Sequence, residues 1–475
     1  MQKKVIVIGA GIAGLSAAFY SRRRGFEVTV FEQCSTPGGV ATTWNRRGYT
    51  FDGGIHWLVG TTPRFQPFHR RWIQTGALQE NNPVMCADPV FLFQSGNITL
   101  NLWRDIDRFV QELLDFAPED RKAILALRRH VRIIGTYMPI PQGIGDWVKQ
   151  IYRLPIFLPL ISRLLCTSTQ EYVSRFKNLY IREMFSAILS PEQNALSLIG
   201  TLVGYTMGDN GYPAGGSRRL ADNMEQTVLK AGCQIVYRTK VERISIEKGR
   251  VKGVVAQGTL HPADYVIVAM DTCTALRTLF DKPLQERWAR KVVKGMDSEH
   301  CSLFSLGVKK DLSHLPSALR IHLKEPTRMA GYEYTTLWIY RYNGRDGYAP
   351  EGYSSLTVLF PGDSYDYWRA AKDDGTYLPK KQEFIRKAQQ LLETYIPEIA
   401  GSVEVTDLAT PVTYERYCGC YRGGYMGIWA AWSNPFHVPV KSSSVRGLRF
   451  AGMRTFISGG MPVSVNSGYK AAKSL

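Results

Sequence analysis

The stretch KVIVIGAGIAG at residues 4–14, followed by VTVFE at 28–32, decides the fold of this chain. A β-branched apolar run leads into a glycine-rich turn, then into a helical segment, and the second apolar run ends in Glu32. This order is the full context in which a GxGxxG motif indicates a dinucleotide-binding unit. The sequence therefore predicts a strand, a phosphate-binding turn, a helix and a second strand at its start.

Each glycine of the motif has a mechanical reason. Gly9 permits a tight turn, Gly11 lets a pyrophosphate approach the backbone, and Gly14 lets the helix pack closely on the sheet. The first turn of the helix offers unpaired N–H groups to the phosphates. Glu32, at the end of the second strand, can accept hydrogen bonds from a ribose.

The composition is that of an ordinary globular protein. The chain has 475 residues, 44% of them hydrophobic and 21% charged, which predicts two or more domains. Its eight cysteines form no CxxC pair, and Cys418-Gly419-Cys420 lacks the second ligand pair that a zinc site needs. We therefore expect reduced thiols and no metal. The first strand starts within a few residues of Met1, which leaves no room for a signal peptide and favours a cytoplasmic protein.

The net charge of +18 favours anionic partners. No RNP-type strand, zinc-finger spacing or recognition-helix signature supports nucleic acid, so we expect none. The apolar segment 154–165 is flanked by Lys149, Arg153, Arg163 and Arg175. It is too short and too proline-broken to span a bilayer, which takes about 20 apolar residues. Two interpretations stay open: peripheral contact with an anionic membrane surface, or a buried helix that forms a pocket wall.

Nucleotide-binding features return in the middle and at the end of the chain. The sequence predicts an α/β fold in which residues 1–62, 211–280 and 442–475 form one discontinuous Rossmann-like FAD-binding domain. Residues 63–210 are predicted to be mainly helical, without parallel-strand runs, and to face substrate or membrane. Residues 281–441 carry alternating apolar runs that predict a mixed sheet in an inserted α+β substrate domain.

Six motifs carry a resemblance that extends over the whole chain. They are GAGIAGLSAA at 9–18 with Glu32, PGG at 37–39, GYTFDGG at 48–54, PAGGS at 213–217, TPVTYERY at 410–417 and FAGMRTFISGGMPVSVNSGYKAA at 450–472. In their order and spacing the chain resembles the phytoene desaturase and carotenoid isomerase family of FAD-dependent oxidoreductases. The resemblance implies a flavoprotein that acts on a long apolar substrate.

Two positions depart from the family pattern. Many desaturases have Arg after the PGG motif where this chain has Val40, and the isomerase-like branch also lacks that Arg. The C-terminal motif usually has an acidic residue where this chain has Met453. These departures leave FAD binding to backbone amides, Glu32 and the arginines Arg46, Arg47 or Arg454.

The predicted cofactor is noncovalent FAD, because the C-terminal motif has neither Cys nor His to attach it. By resemblance, Val241 presents backbone atoms to the adenine, and the helix start at 461–463 faces the isoalloxazine. The predicted cofactor-binding residues are Gly9, Gly11, Ile12, Ala13, Gly14, Glu32, Gln33, Gly38, Gly39, Val40, Ala41, Gly54, His56, Val241, Gly452, Met453, Met461, Pro462 and Val463.

The sequence names no catalytic residue. Flavin oxidation of an allylic C–H bond needs the substrate held against the flavin in a dry slot more than it needs an acid or a base. His56 could move protons near the flavin, or it could be a structural group beside Trp57.

The leading functional hypothesis is an FAD-dependent oxidoreductase that desaturates, or otherwise oxidises or reduces, C–C bonds of a long apolar isoprenoid, carotenoid or lipid. Redox-neutral cis–trans isomerisation of a polyene on reduced FAD is an alternative that Val40 favours. A flavin amine oxidase and a non-catalytic prenyl-binding protein also stay open.

Overall fold

The structure is a computed structural model that describes residues 2–137, 144–189, 191–294, 298–344, 347–427, 438–455 and 460–475. Side chains at 144–147, 149, 150 and 153 lie outside this description. The strands of the described ranges are β1 (Lys4–Ile8), β2 (Glu27–Phe31), β3 (Thr43–Arg46), β4 (Tyr49–Asp52), β5 (Val84–Met85), β6 (Phe91–Ser95), β7 (Ile98–Leu102), β8 (Tyr212–Pro213), β9 (Gln234–Val236), β10 (Val241–Glu247), β11 (Arg250–Ala256), β12 (Thr259–Pro262), β13 (Tyr265–Val268), β14 (Ser298–Glu299), β15 (Cys301–Val308), β16 (Ala318–Met329), β17 (Tyr332–Asn343), β18 (Ser354–Pro361), β19 (Val403–Ala409), β20 (Met426–Gly427) and β21 (Leu448–Phe450).

The α-helices surround these strands and form a separate cluster before β8. They are α1 (Ile12–Arg23), α2 (Phe68–Gln74), α3 (Ile106–Phe116), α4 (Arg121–Tyr137), α5 (Ile144–Leu165), α6 (Thr169–Val173), α7 (Leu179–Ser186), α8 (Ala195–Thr206), α9 (Gly216–Lys230), α10 (Thr272–Thr278), α11 (Arg287–Lys294), α12 (Tyr365–Asp373), α13 (Tyr377–Tyr395), α14 (Pro411–Cys418) and α15 (Gly460–Lys473).

Five strands form a parallel sheet in the order β21-β13-β1-β2-β9. β1 and β13 are near-continuous apolar runs, as expected for parallel strands that are covered on both faces. Val5 and Val7 pack into one core, whereas Ile6 and Ile8 pack into the core on the opposite face. Because the sheet collects strands from the start, middle and end of the chain, the predicted discontinuous Rossmann-like fold class is confirmed.

Helices α1, α9 and α15 cover the first of these faces. α1 and α15 approach so closely that a Cβ on Gly468 would lie 2.3 Å from the carbonyl oxygen of Ala13. The Ser16 hydroxyl also donates to the Val465 carbonyl at 2.6 Å. The other face is covered by the antiparallel sheet β10-β11-β12 with α10 and α11. These layers hold the carboxyl ends of β1, β2, β13 and β21 at one edge.

A second, mixed sheet has seven strands in the order β19-β15-β18-β17-β16-β6-β7. The alternating runs near 302–308 and 355–360 form β15 and β18, which are buried and pair antiparallel at its centre. Helices α12 and α13 pack on this sheet through Trp368 and Phe384. This sheet is the predicted inserted sheet.

The region predicted to be mainly helical contributes two strands to that sheet. The hairpin β6–β7 joins its edge, and β6 pairs in parallel with β16 through Leu92 and Leu319. Phe91, Phe93 and Leu100 are buried on one side of the hairpin, because alternate residues of a strand face one way. The hairpin β6–β7 is therefore a departure from the helical structure expected for residues 63–210. The predicted domain boundaries stay a prediction.

Candidate functional site

A cavity of about 880 Å³ lies at the carboxyl edge of the parallel sheet. Ile8, Phe31, Ala269 and Gly452 line it at or just after the ends of four parallel strands. In open α/β sheets, ligands bind in the crevice outside these strand ends. The fold therefore places the cavity where a dinucleotide is expected.

The backbone at this edge forms a cradle that only glycine permits. Gly9, Gly38 and Gly39 have φ angles of +101°, +117° and +62°, in a region that side chains rarely adopt. A Cβ on Gly39 would lie 3.4 Å from the Cα of Gly11, so the two glycine loops face each other backbone to backbone. α1 begins beside Gly11 without a side-chain cap, which leaves first-turn N–H groups for a phosphate. These residues fit the diphosphate of FAD.

Gly14 is the predicted site residue that does not line this cavity. A Cβ at this position would lie 1.9 Å from the carbonyl oxygen of Gly9 and 3.3 Å from the Cβ of Ala269. Gly14 thus serves the close packing of α1 on the sheet. Its effect on the cavity is indirect, through the position of the Gly9 turn.

All the other predicted cofactor-binding residues line the one cavity. They are Gly9, Gly11, Ile12, Ala13, Glu32, Gln33, Gly38, Gly39, Val40, Ala41, Gly54, His56, Val241, Gly452, Met453, Met461, Pro462 and Val463. The fold brings together five separate parts of the sequence to do this. Their contact with FAD itself stays a prediction.

Glu32 is buried at the end of β2 and is held by backbone donors. Its two carboxylate oxygens accept the N–H groups of Ala10 at 2.7 Å and Cys34 at 2.8 Å. Each carboxylate oxygen can accept a further hydrogen bond. Glu32 therefore links the glycine turn to β2 and still has acceptor capacity for a ribose.

The structure adds a buried ion pair that the sequence did not reveal. Arg454 Nε lies 3.3 Å from Asp271 Oδ2, and both side chains are almost fully buried at the cavity wall. Arg454 also donates to the Ser298 hydroxyl at 2.6 Å, and Asp271 accepts the N–H of Thr274 at 2.9 Å. Asp271 lies three residues after the end of β13, so its place after a parallel strand was the signal that could have found it.

The three arginines expected to help bind FAD differ in their position relative to the cavity. Arg454 lines the cavity, whereas Arg46 lies on β3 and forms a partly exposed ion pair with Asp407 at 3.2 Å. Arg47 is exposed and does not line the cavity. An acidic side chain, Asp271, therefore stands at the wall although the C-terminal motif lacks one.

The helical region supplies an apolar part of the same cavity. Its lining side chains are Ile134 and Tyr137 of α4, Phe157 and Ile161 of α5, Leu189, and Leu196 of α8. The rings of Tyr137 and Phe157 stack with centroids 3.8 Å apart. One cavity thus joins a nucleotide cradle to a slot suited to a hydrocarbon.

His56 lies at the cavity wall and stacks on Tyr340, with ring centroids 4.7 Å apart and planes within 16°. Both of its ring nitrogens are buried, and neither has a hydrogen-bond partner in the described part of the chain. Burial, with a further effect of the Arg320 charge, lowers the pKa of His56 to about 3. Its imidazole is therefore neutral near pH 7, which argues against a role as a cationic acid.

A buried carboxyl group stands behind the wall. Gln193 lines the cavity and donates from Nε2 to Glu299 Oε1 at 2.9 Å. Burial raises the pKa of Glu299 to about 7, and the nearby Glu192 adds to the rise. Because its ionisation falls near neutral pH, Glu299 is the carboxyl group here that can exchange a proton under ordinary conditions.

Two thiols, Cys418 and Cys420, also line the cavity. Their hydrogen bond to each other, together with burial, raises the pKa of Cys420 well above its ordinary value. A protonated thiol is a poor nucleophile. Among the described residues, no group of three or more His, Cys, Asp or Glu side chains has the arrangement of a metal site.

Comparisons with known proteins agree with this geometry. The family model "Flavin containing amine oxidoreductase" matches residues 12–475. The all-trans-retinol 13,14-reductase of Danio rerio is 26% identical and covers 89% of this chain and 77% of its own length. The 1-hydroxycarotenoid 3,4-desaturase of Flavobacterium sp. (strain P99-3) is 24% identical, and the match covers 98% of this chain and 97% of the desaturase. The chloroplastic prolycopene isomerase of Arabidopsis thaliana is 24% identical, and the match covers 88% of this chain and 73% of the isomerase.

A solved structure shows the same fold. Cyclohexylamine oxidase from Brevibacterium oxydans IH-35A aligns with a TM-score of 0.64 at 18% sequence identity, over 100% of this chain and 98% of that one. At this level of identity the likeness concerns the fold alone.

Proposed function

This chain belongs to the family of flavin-containing amine oxidoreductases, and from this premise we propose that it desaturates, or otherwise oxidises or reduces, C–C bonds of a long isoprenoid substrate. Its cofactor is FAD, and its sequence relatives include enzymes named for carotenoids and retinol, as the resemblance to the phytoene desaturase family implied. The observation that supports the proposal best is the single cavity that joins a nucleotide cradle to an apolar slot.

FAD, when bound, supplies two-electron redox chemistry at its isoalloxazine ring. The residues of this chain would hold and orient the two ligands. The cradle around Gly9, Gly11 and Gly39 would receive the diphosphate, with Glu32 at the ribose. Tyr137, Phe157 and Ile161 would hold the hydrocarbon by burial and exclude water. The positive end of the α15 helix dipole would favour negative charge near Met461.

The proposal is tested by mixing polyenes under anaerobic conditions with the FAD-loaded protein in its oxidised form and, separately, in its dithionite-reduced form, because only reduced flavin can supply the electrons that saturate a C=C bond. We expect a hydroxylated carotenoid or all-trans-retinol to change the flavin spectrum and to yield a product that differs by two hydrogen atoms. Benzylamine and putrescine serve as the comparison. If only the amines reduce the flavin, the chain is an amine oxidase, and if no flavin co-purifies, it is a non-catalytic binding protein.

Isomerisation is the second candidate. Val40 lines the cavity at the position where many desaturases have Arg, and prolycopene isomerases are among the relatives. In that case the reduced flavoprotein would convert a cis-polyene to a product of unchanged mass, with no net oxidation of the flavin. Mass analysis of the product separates the two reactions.

We propose that the FAD is noncovalent. Cys420 and His56 line the cavity, but the Cys420 thiol stays protonated, which makes it a poor nucleophile, and the His56 ring is stacked on Tyr340. Acid precipitation should release all of the flavin into the supernatant. Colour that stays in the protein pellet would show a covalent bond.

The proposal includes a cytoplasmic protein in peripheral contact with the inner face of an anionic membrane. A long isoprenoid is held in lipid and not in water, so an enzyme for it gains by contact with a leaflet. In the described part of the chain, no helix has the length and apolar character needed to cross a membrane.

A further inference from the structure

Helix α5 has two unlike faces. Phe157 and Ile161 line the cavity, and Leu164 is buried in the core of the helical region. At 100° per residue, these positions lie on one side of the helix. The opposite side carries large apolar side chains that are more than half exposed: Val148, Ile151, Tyr152, Ile156 and Leu158.

This division bears on the two interpretations of the apolar segment at 154–165. The inward residues form a pocket wall, as one interpretation expected. The outward residues, with the exposed Pro155 and Pro159 between them, form a continuous apolar surface that has no partner within the described chain. We call this surface, at 148, 151, 152, 155, 156, 158 and 159, the outer face of α5.

Three exposed arginines belong to the same helical region as this face. Arg163 lies in the last turn of α5, Arg129 lies on α4 directly before His130, and Arg175 follows α6. His130 Nδ1 lies 2.8 Å from the Tyr172 hydroxyl oxygen, and the Arg175 guanidinium lies over the Tyr172 ring, 4.6 Å from its centroid. Burial, and after it the charges of Arg129, Arg175 and Arg163, lower the pKa of His130 to about 4.

These arginines have no acidic partner among the ion pairs of the described residues. Their neighbours on α4 differ, because Arg128 and Arg132 both bind Asp107, at 2.6 Å and 2.7 Å. Glu171 is the nearest acid in sequence to Arg175, and its carboxylate is occupied by the N–H of Ser168. The side chains of Lys149 and Arg153, which the sequence suggested as further basic flanks, lie outside the described residues.

We propose that Arg129, Arg163 and Arg175 bind headgroup phosphates of an anionic bilayer while the outer face of α5 lies among the upper acyl chains. An apolar face alone would fit many partners. Uncompensated cations at its edge match a surface in which negative headgroups overlie hydrocarbon. This inference rests on the proposed function, because it explains how an isoprenoid reaches the cavity.

Docking of the outer face would bring the apolar slot close to the membrane. A helix with its side chains is about 10–12 Å across, and the inner face of α5 forms part of the cavity wall. The slot would then lie about one helix diameter from the leaflet.

The test is vesicle flotation of the FAD-loaded protein. Vesicles of phosphatidylcholine alone are compared with vesicles of phosphatidylcholine and phosphatidylglycerol. The variants are Arg129→Gln/Arg163→Gln/Arg175→Gln and Ile156→Asp/Leu158→Asp. The matched control, Arg287→Gln/Arg290→Gln/Lys294→Gln, removes the same charge from α11, which packs in a different core.

We expect the native protein and the α11 control to float with anionic vesicles and to be released by salt. Three arginines at about 1 kcal/mol each predict weaker partitioning of the arginine variant on the order of a hundredfold. The aspartate variant should lose binding as well. Native protein that stays with the buffer, an arginine variant that floats like the native protein, or a control that loses as much each overturns the proposal.

Activity in detergent separates this inference from the proposed function. Detergent micelles deliver the substrate without a bilayer, so the arginine and aspartate variants should keep native turnover there. Turnover in detergent with no vesicle binding would leave the proposed reaction on an isoprenoid standing, but it would remove the docking site and the proposed membrane contact. Vesicle binding without polyene turnover would leave the docking site standing and remove the proposed reaction.

Discussion

The nucleotide cradle and the apolar slot are two ends of one cavity, but they are built in different ways. The cradle consists of backbone held by glycines and by Glu32, within two short segments of sequence. The slot consists of side chains from α4, α5 and α8, which approach one another only in the folded protein. Adding a single Cβ to the cradle should therefore disrupt its backbone conformation, whereas the slot should tolerate changes in side-chain volume.

The same substitution at Gly14, which packs α1 beneath the cradle, and at Gly200, which lines the slot, gives the largest expected difference. In Gly14→Ala, the new Cβ would lie 1.9 Å from the carbonyl oxygen of Gly9, and both backbones would have to move. We expect a loss of about 3 kcal/mol or more in the free energy of unfolding, with loss of FAD. In Gly200→Ala in α8, the new Cβ would meet no atom of the described residues within 4 Å outside the neighbouring backbone of its own helix, and the variant should gain up to about 1 kcal/mol. Denaturant unfolding measures both, and equal effects would contradict the comparison.

The carboxyl group behind the slot should make stability depend on pH. Glu299 has a pKa of about 7 in the folded protein, against an ordinary value of 4.5. Since the folded state keeps this proton to higher pH than the unfolded chain does, the free energy of unfolding should fall between about pH 4.5 and pH 7. The cost above pH 7 is on the order of 3 kcal/mol.

Glu299→Gln should abolish that part of the slope and make the protein more stable than the native chain above pH 7. Urea unfolding at a series of pH values is the measurement. The matched control is Glu192→Gln. Because the Glu192 charge adds to the effect of burial on the pKa of Glu299, this variant should reduce the decline of stability with pH without removing it. A native protein with no decline in stability over this range would contradict the raised pKa.

Glu32→Ala tests the carboxylate of the cradle. It removes the acceptor for the N–H groups of Ala10 and Cys34 and the expected bond to the ribose. We expect FAD affinity to fall by about 1.5–3 kcal/mol for each charge-assisted bond lost. Equilibrium dialysis with FAD measures the affinity. Glu32→Gln keeps an acceptor, so its affinity for FAD should lie between those of Glu32→Ala and the native protein. Unchanged flavin content in Glu32→Ala would remove Glu32 from the site.

Phe157→Ala gives the smallest expected effect on stability. The ring lies at the cavity surface, and its removal ends the stacking with Tyr137, a contribution of about 0.5–1.5 kcal/mol. FAD content should not change, because Phe157 belongs to the slot. Leu158→Ala, on the outer face, should leave both stability and substrate affinity close to native. Loss of FAD from Phe157→Ala would show that the two ends are not separate.

Much of the cradle could be predicted from the sequence because its requirements are local. A turn with φ of +101° at Gly9 and an acid at the end of the next strand each mark a position within a short segment. The slot could be predicted only as a region. Which residues of 154–165 face inward depends on how α5 packs against α4 and α8, and the sequence alone left membrane contact and pocket wall as alternatives.

The sequence by itself determined the glycine-rich edge of the parallel sheet and 18 of the residues that line the cavity, because backbone conformations that require glycine leave a direct trace in the chain. Tertiary structure alone decided the pairing of Arg454 with Asp271, the bond of Gln193 to Glu299, and the place of β6 beside β16. These contacts join residues about 100 to more than 200 positions apart, and no local propensity specifies them. Burial decides them, because a polar group removed from water must find its partner wherever the packed elements bring one.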